Sequence, residues 1–202
     1  MGGTFDPPHV GHLLAASDAC DTLGLDRLVF VPAAQQPLKQ HQASAPASHR
    51  LRMLQLMTQG DARFSVDEIE IQRTGLSFTV DTLEEYARRL PDAERFFLIG
   101  ADAFAILDQW RDPARVVSLA HLVVLTRVGG GAARNGELRL EDVTTRVRAI
   151  GGAGAVSPHL LASRRIDVSS TEIRARASAG KPIRGFVTDA VAHYIETHGL
   201  YR

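Results

Sequence analysis

The chain of 202 residues has one cysteine, Cys20, so no disulfide can form within it, and a reducing compartment suits it. Cys20 lies inside an apolar helical run, where it reads as a small buried side chain rather than a nucleophile. Net charge is also lacking. Lys+Arg and Asp+Glu both number 23, which argues against a strongly basic nucleic-acid-binding surface. Basic and aromatic residues are not clustered either, so no stacking platform for a single strand is visible. No apolar run approaches the length of a membrane span. The opening residues lack the basic and apolar regions of a secretion signal. These absences read as a cytoplasmic protein without membrane or nucleic-acid partners. A zinc-type H-E-x-x-H helix, a Ser-His-Asp set, internal repeats and a second domain are missing as well. What remains is 45% apolar, enough for one domain over residues 1–202.

The most informative stretch comes first: Met1-Gly-Gly-Thr-Phe-Asp-Pro-Pro-His-Val-Gly-His12. Gly2 and Gly3 permit positive φ and close approach of a ligand to the backbone. Asp6-Pro7-Pro8 forces a turn. An apolar run over 12–23 then reads as a helix, closed by Gly24. A glycine turn feeding a helix N-terminus is an anion site, because free N–H groups and the helix dipole converge there. His9 and His12, three residues apart, add two side-chain donors on one side of the turn. The protonation state of His12 stays open, since the dipole disfavours its charge and phosphate favours it. Such a loop normally follows a buried strand, and only Met1 precedes Gly2, so an apolar upstream extension is expected.

The remainder alternates short apolar runs with helical stretches. Strands are expected at 27–32, 64–72, 95–100 and 121–127, with further extended pieces at 155–161 and 165–168. Helices are expected at 48–58, capped by Ser48 with Leu51, Leu54 and Met57 inward, and at 80–90, capped by Thr79. Others are expected at 113–119, 140–150 and 189–198, the last capped by Thr188. Arg50 and Arg52 read as surface residues. Loop 33–47 is long and patternless, and 128–137 reads as a glycine-rich linker. Nearly continuous apolar strands suit a parallel sheet covered on both faces. The pattern predicts an α/β fold with a Rossmann-like, doubly wound parallel sheet in a single domain.

Gly100-Ala-Asp102 stands at the carboxyl end of a strand, where open α/β sheets bind ligands. Asp102 suits either ribose hydroxyls or a helix cap. Val168-Ser-Ser-Thr-Glu-Ile-Arg174 places hydroxyls ahead of a helix. Ser169 or Ser170 can cap it, while Thr171 and the free N–H groups bind an anion. Arg174 adds a fork matched to phosphate oxygens.

Residues 2–13 resemble the signature of the H-x-G-H nucleotidyltransferase superfamily, and more narrowly that of bacterial nicotinate-nucleotide adenylyltransferases. The unchanged S-S-T-x-I-R segment 169–174 and the segment Arg73–Leu83 are similar to that family too. The resemblance implies transfer of AMP from ATP to nicotinate mononucleotide, releasing pyrophosphate, with Mg²⁺ accompanying ATP. It implies catalytic roles for Thr4, His9, His12, Lys39 and Arg174. It implies ATP contacts from Gly2, Gly3, Phe5, Gly11, Gly100, Asp102, Ser169, Ser170 and Thr171. It also implies that Ser77, Thr79 and Trp110 hold the nicotinate nucleotide, Trp110 by stacking on the ring. On the residues alone, Lys39 is equally a solvated lysine, Thr79 a cap and Trp110 a core residue. No metal ligand set is expected from the chain itself. A homo-oligomer is left open. The alternatives are a relative acting on nicotinamide mononucleotide or phosphopantetheine, and a nucleotide-binding sensor without catalysis.

Overall fold

The computed structural model describes residues 1–37, 44–73, 75–127, 138–163 and 167–202. Its elements in chain order are β1 (Gly2–Gly3), α1 (Val10–Leu23), β2 (Leu28–Pro32), α2 (Ala47–Thr58), β3 (Phe64–Val66), α3 (Ile69–Gln72), α4 (Thr79–Arg89) and β4 (Phe96–Gly100). They continue with α5 (Ala101–Ala105), α6 (Pro113–Leu119), β5 (His121–Arg127), α7 (Leu140–Gly151), β6 (His159–Ser163), α8 (Ser170–Ser178) and α9 (Asp189–Thr197). The chain falls into two compact units. The first comprises Met1, Gly3–Leu76 and Ile166–Arg202; the second comprises Gly2 and Ser77–Arg165.

Two three-stranded sheets carry the fold, in the orders β1-β2-β3 and β4-β5-β6. In the first, β2 and β3 run parallel, with Leu28 opposite Phe64. The short opening strand is firmly paired. The Met1 nitrogen donates to the Val29 carbonyl at 2.8 Å, Val31 N–H to Met1 and Ala33 N–H to Gly3. In the second sheet β4, β5 and β6 are all parallel. The expected parallel α/β class is therefore what the chain forms.

The cores follow from the strand sequences. In the second unit Leu107, Val116, Val117, Leu122, Val124 and Val143 are fully buried, so both faces of Leu-Val-Val in β5 are covered. In the first unit the small residues Ala15, Ala16, Ala19 and Cys20 form the inner face of α1, while Phe30, Met53, Leu54 and Met57 fill the space beside it. Gly24 ends α1 at φ 62°, and its N–H returns to the Cys20 carbonyl.

Several local expectations are corrected. Residues 69–72 form the helix α3, not a strand, started by the Asp67 carboxylate accepting the Ile69 N–H at 3.0 Å. Helix α2 begins at Ala47 after Pro46, so Ser48 is not its cap. Helix α4 already includes Thr79, with Phe78 at the cap position, so Thr79 is not a cap either. Thr188 sits at the α9 cap position, but its hydroxyl is buried with no partner among the described residues. The inward stripe of α2 is Arg50, Met53, Leu54 and Met57, so Arg50 is buried rather than superficial, and Leu51 lies at the margin. Gly2 and Gly3 are extended, and the positive φ of the loop falls on Phe5, at 51°. The linker 128–137 and Lys39 lie outside the described residues.

Candidate active site

A cleft of about 570 Å³ opens within the first unit. Its walls include Gly3, Thr4, Phe5, Asp6 and His12 from the N-terminal loop, and Ser170, Thr171 and Arg174 from the start of α8. Two motifs more than 150 residues apart in sequence thus face one cavity. Arg50 and residues 44–47, at the entrance to α2, complete its wall.

The loop reaches this shape through its small residues. A side chain at Gly3 would lie 3.1 Å from the Phe5 ring. That ring is buried, edge-on to both Phe30 and His12. A side chain at Gly11 would lie 3.0 Å from Nδ1 of His9, so the glycine of the H-x-G-H motif makes room for its first histidine.

The two imidazoles stack, with centroids 3.7 Å apart. Only His12 lines the cleft; His9 lies buried behind it. Burial lowers His9 to about 4. Burial, deepened by the neighbouring His9, lowers His12 to about 3. Both are neutral near pH 7 in the free protein. The His9 main-chain N–H donates to His12 Nδ1 at 3.2 Å. An accepting Nδ1 puts the proton of neutral His12 on Nε2, which makes the ring a hydrogen-bond donor.

The hydroxyls divide their labour. Ser169 caps α8, accepting from the Glu172 N–H at 3.1 Å. Ser170 donates to the Pro7 carbonyl at 2.8 Å, strapping α8 to the turn. Thr171 accepts from Arg174 Nη2, so its own proton is free to be donated. The Thr4 hydroxyl is buried without a partner among the described residues, which is costly unless a ligand completes it. Arg174 gives one further bond, from Nη1 to the Asp6 carbonyl at 2.7 Å. The start of α1 is less open than the sequence suggests, because Val10 N–H is taken by the Phe186 carbonyl and His9 N–H by His12.

Two buried residues went unassigned in the sequence. Asp6 accepts the Ala45 N–H at 3.2 Å and the Tyr201 hydroxyl at 2.6 Å on the same oxygen. Burial, together with that bond, raises the Tyr201 pKa far above its usual range. Arg50 donates to three carbonyls, and burial lowers its pKa while Asp6 supports its charge. A legible signal existed for Arg50: it opens an i, i+3, i+4, i+7 stripe whose other members are apolar.

The second unit holds the other expected site residues. Gly100 ends β4 and sits at the cap position of α5, and Asp102 is exposed in its first turn. Ser77 is buried just before α4. Trp110 packs edge-on against Phe97, centroids 6.1 Å apart, and its Nε1 is buried with no partner among the described residues. Arg111 lies over the Phe78 ring at 4.7 Å. Among the described residues no group of three or more His, Cys, Asp or Glu can hold a metal ion. The carboxylate at the cleft, Asp6, is already engaged by Ala45, Tyr201 and, at 4.0 Å, Arg174. These residues therefore do not fit a metal held by protein ligands.

A cleft lined by hydroxyl, imidazole and guanidinium donors on a parallel α/β fold is the kind of site that suits an anion such as a nucleotide phosphate. The comparisons carry this further. The family model described as cytidylyltransferase-like matches residues 1–176. The chain is 50% identical to a probable nicotinate-nucleotide adenylyltransferase of Gemmatimonas aurantiaca, covering 100% of this chain and 90% of that protein. It is 42% identical to a probable nicotinate-nucleotide adenylyltransferase of Corynebacterium kroppenstedtii, covering 100% and 89%. The solved structure of Plasmodium falciparum nicotinic acid mononucleotide adenylyltransferase complexed with NaAD shares the fold. Its TM-score is 0.77 over 99% of this chain and 94% of that one, at 15% identity. The chain belongs to the cytidylyltransferase-like family, and within it groups with proteins that carry the nicotinate-nucleotide adenylyltransferase name.

Proposed function

We propose that the chain transfers the AMP moiety of ATP to nicotinate mononucleotide, giving nicotinate adenine dinucleotide and pyrophosphate in NAD biosynthesis. The observation that carries the chemistry is the cleft shared by the N-terminal loop and α8, with Thr4, His12, Thr171 and Arg174 as donors. The choice of acceptor rests on relatives at up to 50% identity over the whole chain. The family match spans residues of both units, which supports one nucleotidyltransferase domain.

The acceptor phosphate is already ionised, so the reaction needs no general base. Its oxygen attacks the α-phosphorus, the bond from that phosphorus to the bridging oxygen breaks, and pyrophosphate departs with the electron pair. What the protein supplies is in-line positioning and stabilisation of charge growing on the equatorial and bridging oxygens. Nε2–H of neutral His12 and the Thr4 hydroxyl donate to the α-phosphoryl oxygens. His9 supports the His12 ring from behind. Thr171, the N–H groups opening α8, Arg174 and Lys39 take the departing pyrophosphate. Gly2 and Gly11 serve the shape of the loop, and Ser169 and Ser170 serve that of α8. Asp102 and Gly100 take the ATP ribose. Ser77, Thr79 and Trp110 take the pyridine nucleotide. Magnesium accompanying ATP would neutralise phosphate charge, and among the described residues no side-chain group is arranged to hold it. Such chemistry suits the cytoplasm, and no helix among the described residues is long and apolar enough to cross a membrane.

The test is pyrophosphate release with ATP or CTP against nicotinate mononucleotide, nicotinamide mononucleotide and phosphopantetheine. Turnover is expected with ATP and nicotinate mononucleotide. Preference for another pair, or ATP binding without pyrophosphate release, overturns the reading.

A further inference from the structure

Arg50 stands at the cleft wall but is only 2% exposed. Its hydrogen bonds run to main-chain carbonyls: Nε to Ala45 at 3.0 Å, Nη1 to Thr4 at 2.8 Å and Nη2 to Ala34 at 3.1 Å. Those carbonyls belong to three different segments. Thr4 is in the N-terminal loop, Ala34 follows β2, and Ala45 precedes α2. One planar guanidinium in the first turn of a rigid helix therefore ties three pieces of irregular backbone together.

Two further features show why the tie matters. Phe5, the residue after Thr4, is a non-glycine at φ 51°, a backbone state that persists only where its surroundings over-determine it. The Phe5 ring is fixed from one side by burial against Phe30 and His12. The preceding carbonyl is fixed from the other side by Arg50. Ala45 is in turn held twice, its carbonyl by Arg50 and its N–H by Asp6, whose carboxylate is locked by Tyr201. Lysine carries the charge, but its three donors sit on one nitrogen, so they cannot span three acceptors that Nε, Nη1 and Nη2 reach from separate corners of a planar fork.

We infer that Arg50 is a positioning residue for adenylyl transfer: it holds Thr4 and the loop leading to His12 in the donor geometry the reaction uses, without itself binding the nucleotide. This rests on the function proposed above. A loop set in advance lowers the barrier, because donors need not reorganise as charge develops. Its loss therefore falls on kcat.

The experiment compares wild-type protein with R50K, measuring kcat and KM for ATP and for nicotinate mononucleotide, with melting followed in parallel. The expected result for R50K is a folded protein with kcat at least about 30-fold lower and both KM values within about threefold, a loss somewhat below the roughly 100- to 1,000-fold cost of removing one preorganised donor outright. A raised KM for ATP at unchanged kcat makes Arg50 a phosphate ligand and overturns the inference. A lower melting temperature with unchanged kcat below it makes Arg50 structural only, and overturns it equally. The second variant is R50A, assayed with free guanidinium well below denaturing concentrations, or with methylammonium. Recovery of kcat with guanidinium alone supports the inference; equal response to both, or to neither in a folded protein, overturns it, as does failure of both variants to fold. Wild-type protein inactive on this substrate pair would instead sink the proposed function.

Discussion

The two units are built on the same plan, three parallel strands with helices between them, yet their interiors differ in kind. The second unit buries Leu107, Val116, Val117, Leu122, Val123, Val124 and Val143 completely, and its buried polar side chains are only Ser77 and Thr82 among the described residues. The first unit buries Asp6, His9, Arg50 and Glu70 alongside its apolar core. Buried ionisable groups cost stability unless paired and hydrogen-bonded, so their concentration in one unit marks where structure has been traded for chemistry. The lesson is that the apolar interior of the second unit should respond to substitution through stability, and the buried polar groups of the first through rate as well.

The largest expected effect tests the packing side of this contrast. Leu107→Ala removes a fully buried side chain of the second unit and should destabilise by about 2–5 kcal/mol. Denaturant melts measure the loss, and kcat per folded molecule should be unchanged; a large fall in kcat would blur the contrast. Next comes the chemical side. His12→Ala should lower kcat by about 100- to 1,000-fold, the usual cost of one preorganised donor, with the fold intact by circular dichroism. Near-normal turnover would remove His12 from the mechanism.

Acid should then weaken the first unit through the two histidines of its N-terminal loop. The folded pKa values of His9 and His12, about 4 and about 3, lie below the unfolded value of 6.5. The unfolded chain therefore takes up protons first as pH falls. Stability is fully present above about pH 6.5 and is lost as pH falls toward the folded values. Between pH 6.5 and 5 each imidazole should cost on the order of 2 kcal/mol. Urea melts at the two pH values measure this, and His9→Gln should flatten the slope; an unchanged slope would mean the ring titrates normally. The smallest effect is Ser169→Ala, which removes the α8 cap and should cost about 1 kcal/mol in melts, with only a slight change in rate.

What was legible in the sequence follows a physical rule. His12, Thr171 and Arg174, which the structure brings to one cleft, stood out in the sequence because few residue types suit the role proposed for them at a phosphate. The parallel strands were legible because burial on both faces demands continuous apolar runs. Arg50 was legible only as a member of the buried stripe of α2; its bonds were not, since its partners are carbonyls, which every residue supplies. Asp6 was read only as a turn former, because nothing nearby in sequence points to Tyr201. Alternation misled at 69–72, where a five-residue window cannot separate strand from one helical turn, although Asp67 offered a helix-start signal. The glycines drew attention to positive φ at Gly2 and Gly3, whereas the structure puts that strain on Phe5 and uses Gly3 to admit its ring.

The contacts that complete the cleft also bear on when it can exist. Ser170 reaches Pro7 across 163 residues, and Arg174 reaches Asp6 across 168. Contacts so distant in sequence form slowly, since chain entropy is lost before they return anything. The cleft is therefore expected to be a late product of folding, complete only after the helix that supplies its second wall has docked. Binding of an ATP analogue during refolding would thus serve as a clock for the last step of the first unit, not for the collapse of its core.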